Sequence, residues 1–251
     1  MSSKWKMYDE LIDGIPAELK VLDLAVGSIW TYVRSEVGTG VALTVRQRAG
    51  FGLLKSSPVS MSLRDVAALS KSWNFIEASI GMAAMNSWYN CPENIKAMGI
   101  LPDGEDRTKN EIFKTLGDDI KGKNVTVVGH FPYIEKQLGP VCNLSILERE
   151  PMDGDLPDSA CEYILEDQDI VVITGMTFTN KTLPRLLELC PGRAFVSLAG
   201  PSVPMAPLLK NYNVTNLSGF CATDDAGIAD IIKQGLKQKV FSCGYMLDHN
   251  L

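Results

Sequence analysis

Residues 125–133 read VTVVGHFPY. Four β-branched residues running into Gly129 predict the first strand of a nucleotide-binding type of sheet, ending where a phosphate loop is expected. The turn holds one glycine, a histidine, an aromatic ring and a proline, where three spaced glycines would be needed for pyrophosphate in the dinucleotide manner. Beyond it the pattern alternates. Val125–Val128, Asn143–Leu147, Ile170–Thr174, Ala194–Leu198 and Val214–Leu217 read as strands. Ile134–Leu138, Ser159–Leu165, Leu183–Cys190, Ala206–Lys210 and Ala226–Leu236 read as helical segments, and Thr108–Ile120 as a helix ahead of them. Short apolar strands alternating with helices predict a Rossmann-like, mostly parallel sheet with helices on both faces.

Upstream the order differs. Asp9–Ile15 reads as a short amphipathic helix. Val21–Val26, Ser28–Ser35 and Val41–Arg46 read as strands, with a turn signal at Val37–Gly40. A helix capped at Ser62 and a second over Phe75–Trp88 follow. Strands in a run and then helices in a run predict a small α+β unit. Cys91–Arg107, rich in Pro, Gly and charge, reads as a linker, so the expected division is 1–104 for the α+β domain and 105–251 for the Rossmann-like domain.

Open parallel sheets collect ligands at the carboxyl ends of their strands. The first such turn offers Gly129, where backbone could approach a ligand, His130 as an acid or base near neutral pH, and Phe131 as a stacking face. The plainer alternatives are a tight turn, an ordinary polar contact and core packing. Glu148 lies about 20 residues on, where a carboxylate accepts from a ribose diol; a solvated charge beside Arg149 is the plainer alternative. The third turn carries Thr174, Gly175, Thr177, Thr179, Asn180 and Thr182, more short polar side chains than one helix cap requires. The surplus points to a polar ligand, or to one anionic group at a helix N-terminus. Gly200, Pro201 and Ser202 repeat the theme, whereas Asp224 and Asp225 read as caps of the last helix. In the helix over 75–88, Ser79, Gly81, Ala83 and Ala84 allow close packing. That helix is expected to lean on the second domain and to bring Glu77 as a catalytic partner for His130, with Asn86 as a further ligand-binding group.

With those residues assembled, the chain resembles the putative heavy-metal chelation family of uncharacterised prokaryotic proteins. The resemblance is carried by SIGMAAMNS at 79–87, VVGHFP at 127–132, ITGMTFTNKTL at 173–183 and AGPSVPM at 199–205. It implies an N-terminal domain like the small domain of enolases, followed by a Rossmann-like domain with similarity to methyltransferase-type sheets. It also implies a link to metal handling, with no established reaction.

Composition bounds the alternatives. The net charge is −6, with no basic block, so nucleic acid and anionic membranes are not expected partners. No apolar run reaches the roughly 18 residues of a membrane span, and Met1–Ile15 lacks a signal-peptide core. A cytoplasmic location is expected. The six cysteines form no Cys-x-x-Cys pair and the histidines are only His130 and His249. A preformed metal site is therefore not expected, and reduced, packed cysteines are. The leading expectation is an interdomain site for a small polar, heterocyclic metabolite linked to metal chelation, a chelator or its precursor. Two alternatives stay open: a carrier of metal or metal complex without turnover, and an S-adenosylmethionine-dependent methyltransferase. The cofactor, turnover and any homo-oligomer are undetermined by sequence.

Overall fold

The computed structural model describes residues 4–47, 52–100, 112, 116–132, 134–236 and 240–251. Its N-terminal part starts with α1 (Lys6–Asp13), followed by the antiparallel strands β1 (Val21–Val26), β2 (Trp30–Ser35) and β3 (Thr39–Leu43) in that order across the sheet. Helices α2 (Leu63–Ala67), α3 (Phe75–Tyr89) and α4 (Pro92–Ala97) follow. α3 is buried on all sides, which its small and apolar composition permits. A Cβ on Gly81 would stand 2.0 Å from the Ser70 nitrogen, and one on Gly40 would stand 2.1 Å from the Ser87 nitrogen. The small residues of α3 are thus a contact surface on two sides, and Asn74 caps the helix by accepting from the Ile76 N–H at 3.2 Å.

The second part contributes β4 (Asn124–Val128), α5 (Ile134–Leu138), β5 (Asn143–Glu148), β6 (Leu156–Pro157), α6 (Cys161–Ile164) and β7 (Ile170–Thr174). It continues through α7 (Met176–Thr179), α8 (Leu183–Leu189), β8 (Phe195–Ala199), β9 (Asn216–Ser218), β10 (Phe220–Ala222), α9 (Asp225–Lys233), β11 (Gly244–Met246) and β12 (His249–Asn250). Seven strands lie in the order β12-β9-β8-β7-β4-β5-β6, all parallel except the short edge strand β12. Adjacent residues of β7 face opposite ways: Ile170 and Val172 belong to the buried cluster of α5, while Val171 and Ile173 belong to the larger cluster that includes α8 and Tyr8 and Leu11 of α1. Chain direction across the sheet reverses between β4 and β7, the place where open α/β sheets bind ligands.

Several expectations change. Cys91–Arg107 is not a simple linker: α4 begins at its Pro92, a residue suited to a first helical position, and Cys91, Ile95 and Ile100 are buried. Its remainder, the 104/105 boundary and most of the Thr108–Ile120 helix lie outside the described residues. β2 starts at Trp30 because the Gly27 N–H bonds the Trp30 carbonyl at 2.8 Å in the hairpin turn. β3 starts at Thr39, as Gly40 must lie beneath α3. After residue 218 the chain returns to the N-terminal sheet. There α9, β10 and β11 pack Phe220, Ile228, Ile232 and Met246 against Tyr32 and Val41. Asp224 caps α9 through the Gly227 N–H at 2.9 Å. Among the described residues no helix is long and apolar enough to cross a membrane.

Candidate functional site

A cleft of about 770 Å³ opens at the carboxyl ends of β4, β5, β7 and β8, with Trp30 and Leu43 of the N-terminal sheet on its wall. Each turn is fixed by packing or hydrogen bonding. Gly129 adopts φ +99° with Thr174 against it, where a Cβ would come within 2.8 Å of the threonine methyl. Only glycine suits both demands. The His130 N–H then donates to Glu148 Oε2 at 2.8 Å, tying the first turn to the second. The other oxygen of Glu148 accepts from the Arg149 N–H at 2.6 Å and the Glu150 N–H at 3.3 Å. Glu148 thus stands where a diol-binding carboxylate is expected, with both oxygens already engaged by backbone donors.

The His130 ring lies between two acids. Nδ1 is 3.1 and 3.0 Å from the two oxygens of Asp155, and Nε2 is 3.1 Å from Glu135 Oε1. The Asp155 side chain is 1% exposed and that of His130 13%. A carboxylate can only accept, so each ring nitrogen is placed to donate, Nδ1 to Asp155 and Nε2 to Glu135. Asp155 is itself held by the Met152 N–H at 3.0 Å.

In the third turn, Thr177 Oγ1 donates to the Thr174 carbonyl at 2.7 Å. Asn180 Oδ1 accepts from the N–H and the hydroxyl of Thr182, at 3.1 and 2.7 Å. Between them Lys181 takes φ +68°, and its Nζ donates to the Thr179 carbonyl at 2.6 Å and lies 5.2 Å from the centre of the Phe75 ring. Burial pushes the Lys181 ammonium down to about 7. In the fourth turn Gly200 takes φ +109°, and Ser202 Oγ accepts from the Leu43 N–H at 2.9 Å, joining sheet to sheet.

Of the residues singled out from sequence, Gly129, His130, Phe131, Glu148, Thr174, Gly175, Thr177, Asn180, Gly200, Pro201 and Ser202 all lie on the cleft wall. Glu77 and Asn86 do not. The Glu77 carboxylate accepts from Ser72 Oγ at 2.7 Å and from the Leu54 N–H at 2.8 Å. Burial pushes its carboxyl up, but bonds from the Leu53 and Leu54 N–H groups and Ser72 outweigh this and leave it below the ordinary range. It is an ionised anchor for the 52–54 segment, which corrects its expected partnership with His130. Asn86 donates to the carbonyls of Val41 at 2.9 Å and Pro201 at 3.2 Å. It holds the fourth turn in place from behind and does not line the cleft. Sequence reasoning assigned nothing to Asp155, Lys181, Arg149, Arg185, Trp30 or Phe241. Of these, Arg149, Lys181, Arg185, Trp30 and Phe241 line the cleft and Asp155 supports it from His130.

A Rossmann-ordered sheet with a cleft at its switch point, walled in part by a three-stranded antiparallel sheet, defines a two-part α/β architecture. Comparison with known families is specific. Residues 111–250 match the DUF364 model and residues 8–89 the DUF4213 model, each described as "Putative heavy-metal chelation". The chain belongs to this family. A crystal structure of a DUF364-family protein of unknown function from Desulfitobacterium hafniense is 38% identical, with a TM-score of 0.91 over 99% of both chains. One from Pyrococcus horikoshii shares the fold at 20% identity, with a TM-score of 0.84 over 99% of both chains. An uncharacterised protein of Methanocaldococcus jannaschii is 27% identical over 215 residues, 80% of this chain and 78% of its own length.

The family's description raises the question of a metal ion. Among the described residues no group of three or more His, Cys, Asp or Glu side chains is arranged to hold one. The six cysteines are free, none joined in a disulfide. Burial pushes the thiols of Cys190 and Cys221 up to about 12 and about 11, and raises that of Cys161 on the cleft wall. Thiolate is the metal-binding form, and burial keeps these thiols protonated in the resting protein.

Proposed function

We propose that the cleft binds a small, flat, polar organic molecule, a heterocyclic chelator or a precursor of one, and that His130 moves a proton on it. The observation that supports this most is the cleft's composition. Trp30, Phe131 and Phe241 supply ring faces, the threonine-rich third turn supplies neutral hydrogen-bonding groups, and His130 stands among them backed by a buried carboxylate. Such a set favours a planar heteroaromatic compound over a bare ion. The link to metals then runs through the ligand's own donor atoms.

The test is mass spectrometry of molecules released on denaturing the freshly purified protein, beside elemental analysis of the same sample. A heterocycle released in near-stoichiometric amount, and lost from a Trp30→Ala, Phe131→Ala double variant, is the expected result. Stoichiometric metal with no organic molecule would favour a carrier. Released S-adenosylmethionine or its product would favour methyl transfer.

A further inference from the structure

We propose that Lys181 is the oxyanion-binding group of this cleft, so that the molecule bound there carries a carboxylate or phosphate; the inference rests on the ligand-binding reading above and narrows its substrate class.

The cationic side chains on the cleft wall differ in one respect. Arg149 is paired with Asp158 at 3.1 Å, Arg185 with Glu162 and Glu188 at 2.6 and 3.2 Å, and His130 with Asp155 and Glu135. Lys181 has no carboxylate partner among the described residues. Its ammonium rests on a single neutral carbonyl, that of Thr179, and on the face of Phe75. The acid in the first turn of α3, Glu77, is committed to Ser72 and Leu54. A partly buried ammonium so placed lacks the counter-charge that such groups ordinarily have. The left-handed backbone at Lys181, braced by the Asn180–Thr182 bonds, fixes where its side chain leaves the loop.

An arriving oxyanion supplies the missing charge. It therefore favours the ammonium, and at mildly alkaline pH binding draws in a proton. The other titratable or charged groups around the cleft are His130, Glu148, Asp158, Glu162, Cys161 and the two arginines. A Lys181→Arg variant separates Lys181 from all of these, since arginine keeps the charge and does not titrate.

The experiment is calorimetry on the whole protein at pH 8.0 and 5.5, in two buffers of different ionisation enthalpy. Pyridine-2,6-dicarboxylate and inorganic phosphate serve as oxyanion probes, and pyridine-3-carboxamide as the uncharged comparison. At pH 8.0, between about half and one proton should be taken up per oxyanion bound, falling to near zero at pH 5.5. Lys181→Arg should bind the same probe without uptake, and Lys181→Met should bind it about tenfold more weakly or worse. The proposal is overturned if neither oxyanion binds, if binding is unchanged in Lys181→Met, or if uptake at pH 8.0 persists in Lys181→Arg. Preferential response to one probe decides between carboxylate and phosphate. Binding of the carboxamide, or release of an uncharged heterocycle from the purified protein, while both oxyanions fail would overturn this inference and leave the cleft reading standing.

Discussion

Asp155 holds the His130 imidazole with both carboxylate oxygens, 3.1 and 3.0 Å from Nδ1, and is itself almost fully buried. The pairing keeps Nδ1 as a donor to Asp155, while Nε2 faces the half-exposed Glu135. Replacing Asp155 by Asn removes the charge and brings an NH₂ group into a place built for acceptors. The expected cost is about 1–3 kcal/mol of stability, seen as a lower urea midpoint. Nitrogen NMR of the imidazole should show a protonated Nδ1 in the parent and a weaker Nδ1 proton signal in the variant. An unchanged Nδ1 proton signal in Asp155→Asn would remove Asp155 from any role in orienting His130.

Lys181 gives the molecule a pH signature. Its amine titrates at 10.5 when unperturbed and at about 7 in the folded chain. Between these values the unfolded chain binds more protons, so stability rises with pH across that window. The penalty is complete below about pH 7 and is gone above about pH 10.5. Lys181→Met should therefore be the more stable protein at pH 6, by about 1–2 kcal/mol after allowance for the solvent that still reaches the amine. The advantage should shrink toward nothing near pH 10. Urea unfolding of both proteins across this range is the measurement, and a constant difference would mean that the amine does not titrate low.

The positions of these two groups explain what sequence could and could not convey. The turns at 129–132, 174–182 and 200–202 follow strands whose apolar runs are long enough to identify, and in a parallel sheet all such turns meet at one end. Asp155 sits in a Pro- and Gly-rich stretch between β5 and β6, where nothing local signals that it will face His130. Glu77 misled for the opposite reason. A polar residue on a small-residue helix looks poised for a site, whereas its partners, Ser72 and Leu54, come from segments brought together only by folding. β10, β11 and β12 are two or three residues long, too short for periodicity to register.

The approach of α3 to its neighbours makes a sharp contrast among glycines. A methyl group at Gly40 or Gly81 would enter space held by backbone atoms 2.1 and 2.0 Å away, which rotamer changes cannot clear. Gly40→Ala and Gly81→Ala should each lose about 3 kcal/mol or more, or fail to fold. Gly192 has ordinary space around it, with nothing within 4 Å of the added carbon. Gly192→Ala should stay within about 0.5 kcal/mol of the parent. Thermal melts of the three variants side by side are sufficient, and equal losses would mean that α3 is less closely packed than its geometry requires.

Asn86 joins the two parts of the protein at the back of the cleft. Its side-chain NH₂ donates to Val41 in β3 and to Pro201 in the fourth turn, while Asn90, one helical turn on, donates to the carbonyls of Val203 and Phe220 and accepts from the Met205 N–H. These bonds are buried, so water cannot replace them once a partner is lost. Asn86→Ala should cost about 1–3 kcal/mol. It should also free the 200–202 turn, whose Ser202 otherwise holds the Leu43 N–H at 2.9 Å. Hydrogen exchange distinguishes this local effect from general destabilisation. The amides of Leu43 and Val203 should lose protection in Asn86→Ala well before those of Val171 and Val172 in β7. A uniform loss across the sheet would mean that Asn86 stabilises the fold as a whole without holding the turn. If the turn is what Asn86 holds, the proposed binding of pyridine-2,6-dicarboxylate should weaken in the variant although Asn86 lies outside the cleft.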